Sequence, residues 1–385
     1  MLTKTPGRMD FGLFIAVLAL LTAGIVLVYS SSFVVAEKNF GGADFFLSRQ
    51  VVRALLAIGF FMLFINIDYH VWSKYSGYIF IFSVVLLLCI YVLPDAYTPA
   101  VKGAKRWLVF PGIRFQASDL ARMALILFLA KKCGEKDVDF GNWRTLIPHY
   151  VSIGVVCLLV VRQPDLSTTV IIGSTAFAIL FMAGAKVKHL GLTAVALIPV
   201  VLFVINSNEY MKRRIMGFMD FEAQGSGLSY QVTQSLVGLG RGGLFGVGLG
   251  RGEQKYFYLP ESHTDFILSV LGEEFGFVGI VLVYAAFVFI VVRGFRISLK
   301  APDLTGQLMA FGFTTMTALY LLVHSCVVTG LTPPTGNTMP FFSYGGMSLV
   351  FTMSAMGILL NISSKINPEK TRAQQPSSRF RWRIP

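Results

Sequence analysis

Charge is the scarcest commodity in this chain. Only 14% of its 385 residues are Asp, Glu, Lys or Arg, where roughly 25% is usual for a soluble globular domain. Acidic residues are rarer than basic ones, 20 against 33. With a hydrophobic share of 55% and a mean hydropathy of +0.67, this excludes a water-soluble enzyme and a disordered chain. Cysteine is also sparse. Cys89, Cys133, Cys157 and Cys326 lie far apart and form no CxxC pair, and three fall in apolar runs where a thiol packs as a small hydrophobe. A secreted disulfide framework and a cysteine metal site are thereby excluded. Among the histidines, His70, His149, His189 and His324 show no metal-ligand spacing, so no metal-ligating residue is assigned.

What the chain has instead is long apolar runs. A bilayer core about 30 Å thick needs about 20 apolar residues per helix, and ten such runs can be drawn: 11–33, 51–67, 75–93, 115–131, 146–161, 166–185, 189–206, 264–292, 306–327 and 343–363. The expected fold class is all-α, a polytopic integral membrane protein of ten transmembrane helices with one long extracytoplasmic loop at 207–263. The first run is too long for a signal-peptide core and ends in Tyr29-Ser30-Ser31-Ser32 without a cleavage pattern, so it reads as a span. The expected organisation is a cytoplasmic N-terminus (1–10), a ten-helix membrane domain (11–364) and a basic, disordered cytoplasmic tail (365–385).

The net charge of +13 acquires meaning once it is divided between the two faces. With both termini cytoplasmic, the inner loops carry a net +11 and the outer loops +4, which follows the positive-inside rule. Nucleic acid is therefore not the expected partner, and contact with membrane lipids accounts for the basic tail. The outer face nevertheless holds many cations. Lys102, Lys105, Arg106 and Arg114 precede the fourth run, and Lys212, Arg213, Arg214, Arg241, Arg251 and Lys255 precede the eighth. Basic residues that oppose the topology signal point to an anionic ligand at the outer face, with anionic lipid as the plainer alternative.

The loop 207–263 begins with an amphipathic stretch, Tyr210 to Phe221, suited to an interfacial helix. Its glycine-rich middle contains Gly238-Leu-Gly240-Arg-Gly-Gly243, a formal match to the dinucleotide fingerprint. That motif works only in a βαβ unit. Among apolar spans, the glycines instead predict close backbone packing or tight turns around a headgroup cavity. The loop ends in Leu259-Pro-Glu261-Ser262-His263-Thr-Asp265. Ser262 and Asp265 carry a capping-box spacing for the eighth helix, while Glu261, His263, Asp265, Glu273 and Glu274 make its start unusually polar. Ionisable groups at membrane depth are functional candidates by default. Adjacent Glu273 and Glu274 must diverge, so at least one should meet a cavity or a donor on another helix. Asp119 and Arg122, three apart on one helical face, predict a neutralising ion pair. Asp165 is placed to cap the sixth helix behind Pro164. Met339 to Gly346 reads as a rigid re-entrant turn.

These motifs resemble those of the SEDS family (shape, elongation, division and sporulation), and the resemblance covers the chain to about residue 364. It rests on KGAKRW (102–107), FQASDLAR (115–122), RQPDLSTT (162–169), SYQVTQSLVGLGRGGLFGVGLG (229–250), LPESHTDFI (259–267), GEEFG (272–276) and PFFSYGG (340–346). The stretch QKYFYLPE (254–261) is more like the family's division members than its elongation members. Four positions depart from the family pattern: Asp119 and Arg122 stand for its usual Glu and Lys, Ser167 for Gly, and Met347 for Ser.

The resemblance implies a peptidoglycan glycosyltransferase of the bacterial cytoplasmic membrane. Such an enzyme polymerises lipid II through β-1,4 bonds with inversion and loss of undecaprenyl pyrophosphate. It implies that Asp265 is the catalytic carboxylate, expected to act as general base. A divalent cation (Mg or Mn) held by Asp265 is the runner-up, and no cofactor is otherwise expected. Lys102, Lys105, Arg106, Arg213, Glu261, His263, Ser343 and Tyr344 are the expected substrate-binding residues, with Asp119 and Arg122 as a structural pair. A class B penicillin-binding protein, a transpeptidase, is the expected partner, within a division or elongation complex. A lipid II flippase and a non-catalytic scaffold are the competing classes.

Overall fold

A computed structural model of the protein describes residues 9–100, 104–110, 113–135, 140–219 and 227–366. The expected tail beyond 366, the first eight residues and Lys102 lie outside these described residues. The architecture is a helical bundle: α1 Phe11–Phe40, α2 Phe45–Asn66, α3 Tyr69–Val92, α4 Ala117–Gly134, α5 Trp143–Val161, α6 Leu166–Met182, α7 Val187–Ser207, α8 Glu209–Met219, α9 Gly227–Gly242, α10 Ile267–Lys300, α11 Leu304–Val328 and α12 Ser348–Ser364. Each of the ten apolar runs coincides with one helix. Seven of these, α1, α2, α3, α5, α7, α10 and α11, are long and apolar enough to cross a membrane. α6 and α12 are apolar but shorter, and α4 carries Asp119, Arg122, Lys131 and Lys132.

Helix starts follow local chemistry. Asp10, Asp68, Asn142, Asp165 and Asp303 each accept a backbone N–H from the first turn of α1, α3, α5, α6 and α11, as short polar caps do. The cap by Asp165 is the one the sequence predicts. One end of the bundle is laced by side chains: Arg293 pairs with Asp10, Lys365 with Asp68, and Asn361 bridges the Tyr69 N–H and the Ile65 carbonyl.

Two features depart from the expected all-α bundle with one long loop. Residues 107–116 form a hairpin, β1 Trp107–Phe110 antiparallel to β2 Ile113–Gln116, with Trp107 opposite Gln116 and Val109 opposite Arg114. Period-2 alternation buries Leu108 on one face and gives Trp107, Arg114 and Gln116 to the other. The stretch 207–263 is also no open loop. It folds as α8, matching the predicted amphipathic helix, then α9 and a single π-helical turn at Gln254–Tyr258.

α10 is broken at Gly276, whose φ of +66° and ψ of −165° lie outside the helical region. The carbonyls of Glu273 and Glu274, deprived of helical partners, accept the N–H groups of Val247 and Gly248 at 3.0 Å each. The freed N–H groups of Phe277 and Val278 donate to Gly243 and Leu244. The glycine-rich stretch is thus stitched into the break. A Cβ at Gly246 would lie 2.2 Å from the Glu274 carbonyl oxygen, and one at Gly242 1.9 Å from that of Gly272. Close backbone approach, rather than phosphate binding, accounts for these glycines.

Candidate active site

At the other end of the bundle a cavity of about 360 Å³ opens among α2, the hairpin, α4, α8, α11 and two irregular segments, 259–266 and 336–346. Five arginines line it, Arg53, Arg106, Arg114, Arg122 and Arg214, together with three carboxylates, Asp119, Glu261 and Asp265.

The carboxylate-bearing segment 259–266 is a run of turns. The Glu261 carbonyl accepts the N–H groups of Thr264 and Asp265 at 3.1 Å each, and the Thr264 hydroxyl donates to the Glu261 carboxylate at 2.9 Å. Glu261 adopts a left-handed φ of +58°, a conformation uncommon for a non-glycine residue and concentrated at functional sites. The helix proper starts only at Ile267, so the Ser262–Asp265 capping box does not form. Ser262 instead donates to the Ser31 carbonyl of α1 at 3.1 Å. From the far side, Ser343 donates to the Thr264 carbonyl at 2.7 Å, and the Tyr344 N–H donates to the His263 carbonyl at 3.0 Å. The re-entrant turn read from the sequence is therefore a clamp on the acidic segment. Gly336 brings backbone close to the Asp265 carboxylate, since a Cβ there would lie 3.8 Å from its Oδ2.

The arginines divide by partner. Arg122 pairs with Asp119 at 3.3 Å and lies 4.5 Å from the Tyr320 ring. Arg106 is held by the Gln163 and Pro164 carbonyls and stands 3.7 Å from Asp165. Arg214 donates to the Thr335 carbonyl and stacks on Tyr210. Arg53 and Arg114 rest on the rings of Tyr344 and Trp107, each at 4.5 Å. Among the described residues neither has a carboxylate at ion-pair distance. Burial, and then the positive charge of Arg53, lower the Arg114 pKa. A guanidinium still stays protonated at neutral pH, so two like charges face one cavity with a net appetite for an anion.

The structure gathers some predicted site residues and separates others. Asp265, Glu261, Arg106, Tyr344, Asp119 and Arg122 all line the cavity. His263 does not line it; its ring packs between Phe46 and Tyr344, at 4.6 and 5.8 Å. Ser343 is buried in the clamp and borders a smaller cavity of about 20 Å³ with Arg122. Lys105 pairs with Asp95 away from the site, and Arg213 points outward beside Glu209 with its side chain 80% exposed. Its neighbour Arg214 is the one that enters, because it falls one helical turn after Tyr210 on the buried face of α8. Arg53, Trp107 and Gln116 were not anticipated. The alternation of 107–116 could have signalled the last two, and an arginine three residues into an apolar run the first. Glu273 and Glu274 lie outside the cavity. Glu273 accepts the N–H groups of Glu253 and Gln254, and Glu274 meets Lys255 and the Ser30 hydroxyl of another helix.

The donor set does not suit a resident metal ion. Among the described residues no three His, Cys, Asp or Glu side chains converge, and five arginines around the cavity oppose a cation held by protein ligands alone.

A bundle of apolar helices, seven of them long enough to cross a membrane, opened at one end by a cavity rich in arginine and carboxylate, defines a multi-pass membrane protein with a charged cavity. The chain belongs to the FtsW/RodA/SpoVE family of cell cycle proteins, whose family model matches residues 11–367. It is 38% identical over 368 residues to the probable peptidoglycan glycosyltransferase FtsW of Geobacter sulfurreducens, covering 94% of this chain and 97% of that one. It is 36% identical to stage V sporulation protein E of Bacillus subtilis, covering 92% and 96%. Among solved structures, it is similar to a chain of a peptidoglycan synthase complex studied for structural coordination of polymerization and crosslinking (TM-score 0.76, 26% identity, 94% and 99% covered). It is also similar to the rod shape determining protein RodA of Thermus thermophilus (TM-score 0.69, 25% identity, 93% and 98% covered).

Proposed function

We propose that the protein is a peptidoglycan glycosyltransferase that polymerises lipid II into β-1,4 glycan strands at the outer face of the bacterial cytoplasmic membrane, in septal wall synthesis. Ten helices, α1–α7 and α10–α12, span the bilayer with both termini cytoplasmic, which places the arginine-lined cavity outside. The observation that carries the reading is the position of Asp265 in that cavity, facing a set of guanidinium groups.

In this mechanism the Asp265 carboxylate takes the proton of the acceptor sugar hydroxyl as that oxygen attacks the donor anomeric carbon. The bond to the undecaprenyl pyrophosphate oxygen breaks on the opposite side, which inverts the anomeric centre. Negative charge grows on the departing pyrophosphate, and Arg53, Arg106, Arg114 and Arg214 are the groups suited to stabilise it. Glu261, a carboxylate of the same segment, lines the cavity with Asp265 and is suited to accept a hydrogen bond from a substrate hydroxyl. Tyr344 is a candidate wall for the sugar rings, while Ser343 and His263 serve by holding the acidic segment in place. Lys105, paired with Asp95 outside the cavity, adds at most to the general positive field of the outer face, and Lys102 lies outside the described residues.

A class B penicillin-binding protein is the partner this reading requires, because glycan strands need a separate transpeptidase to be crosslinked. The test is purified protein with lipid II and its cognate transpeptidase, with Asp265 intact or replaced by Asn, scored separately for glycan polymer and for lipid translocation. Polymer that depends on Asp265 supports the enzyme. Translocation without polymer would instead favour a flippase, and neither activity a scaffold.

A further inference from the structure

A fully buried charged cluster lies behind the acidic segment, outside the cavity. Lys255 and Glu274 pair at 2.6 Å with both side chains 0% exposed. The Ser30 hydroxyl of α1 donates to the same carboxylate at 2.6 Å and lies 3.4 Å from the ammonium. The Phe33 ring, also on α1, sits 5.0 Å from that ammonium. A buried pair of this kind is a poor device for stability alone. Its desolvation is costly, and an apolar replacement of like volume is often as stable or more so. What such a pair supplies that apolar packing does not is one fixed geometry.

That geometry is needed close by. Between Lys255 and Asp265 the backbone takes left-handed values at two non-glycine residues, Phe257 (φ +68°) and Glu261 (φ +58°). Strain of this sort persists only where the surroundings over-determine the conformation. The segment is held at its two ends by consecutive residues of α1, Ser30 at the Lys255–Glu274 pair and Ser31 at Ser262. Glu274 belongs to the short first half of α10, ahead of the break at Gly276, the half that follows directly on Asp265.

We propose that Ser30, Lys255 and Glu274 form a positioning unit for catalysis. It registers the strained 257–265 segment against α1, so that Asp265 is aimed at the acceptor hydroxyl. This inference rests on the assignment of Asp265 as the base. It predicts an effect on turnover with little effect on lipid II binding, because none of the three residues lines the cavity.

The test measures lipid II polymerisation (kcat and KM) and melting temperature on the full-length protein with its cognate transpeptidase. Lys255→Met and Glu274→Gln alone leave one buried charge unpaired and should lower both melting temperature and kcat. The double variant Lys255→Met/Glu274→Met should regain the melting temperature while kcat stays down tenfold or more, with KM within about threefold of the parent. Ser30→Ala keeps both charges paired and should lower kcat at least threefold, with a smaller fall in melting temperature than either single charge variant. It decides the matter if the double variant does not refold. A parental kcat in the double variant or in Ser30→Ala, with Asp265→Asn inactive, would overturn the positioning role alone. An active Asp265→Asn would remove the base assignment and this inference with it.

Discussion

The Asp119 carboxylate lies 3.3 Å from the Arg122 guanidinium one turn further along α4, and each side chain is only 6% exposed. Asp119 Oδ2 and Arg122 Nε make no hydrogen bond among the described residues, yet both side chains border the cavity. The pair therefore neutralises itself within the bundle at the edge of the cavity. Replacing either residue leaves the other charge buried and unpaired, at about 3 to 5 kcal/mol. Asp119→Asn and Arg122→Met should each melt earlier in detergent, and the double variant should melt closer to the parent than either. Two single variants as stable as the parent would refute the pairing.

The cationic wall makes a prediction that separates residues adjacent in sequence. Arg106 lines the cavity whereas Lys105 pairs with Asp95 outside it, and Arg214 lines it whereas Arg213 does not. A hydrogen bond to a charged group contributes about 1.5 to 3 kcal/mol, which corresponds to roughly tenfold to hundredfold in binding. Arg106→Gln, Arg114→Gln and Arg214→Gln should each weaken polymerisation by about that factor. Lys105→Gln, Arg213→Gln and the remote Lys300→Gln should change it less than about threefold. Equal losses across both sets, read from initial rates over a lipid II titration, would count against a pyrophosphate wall.

Much of this architecture was legible in the sequence, for identifiable reasons. Each of the ten apolar runs located a helix, seven of them long and apolar enough to cross a membrane, and the i, i+3 spacing of Asp119 and Arg122 foretold their contact. The polar start of an apolar helix drew attention to Glu261, His263, Asp265, Glu273 and Glu274 together, of which Glu261 and Asp265 line the cavity, and only the family resemblance singled out Asp265. The choice between Arg213 and Arg214 was not readable from charge, since both are basic and only the face of α8 separates them. The Lys255–Glu274 pair escaped because its partners are 19 residues apart across a π turn and a loop. The break at Gly276 was hidden inside a continuous apolar run.

That break yields its own prediction. A methyl at Gly246 would meet the Glu274 carbonyl at 2.2 Å, and the residue sits at φ +79°. Backbone strain of about 1 to 3 kcal/mol and overpacking of about 1 to 3 kcal/mol should together make Gly246→Ala markedly less stable. Gly240→Ala, where a methyl meets nothing within 4 Å, should melt close to the parent. Similar melting temperatures for the two would mean that 243–248 is not stitched to α10.

Acid sensitivity should localise to the opposite end of the bundle. Burial raises the Asp68 pKa, but hydrogen bonds from Lys365 and from the His70 backbone and ring outweigh it. The carboxyl is held down at about 2, against an ordinary 3.8. A group with a depressed folded pKa stabilises above its unfolded value and loses that contribution as pH falls through the folded one. The Asp68 contribution is therefore complete above about pH 4 and disappears toward pH 2. It is modest, because the side chain is 39% exposed. Melting curves across that range should be flatter for Asp68→Asn than for the parent, and parallel curves would contradict the assignment.

The central claim is that Asp265 carries the chemistry, and one measurement meets it head-on. Purified Asp265→Asn, confirmed as folded by its melting temperature and still bound to its transpeptidase, is incubated with lipid II, and glycan polymer is quantified against the parent. The account predicts polymer reduced at least a hundredfold with the fold and the complex intact. Polymerisation at the parental rate would contradict it.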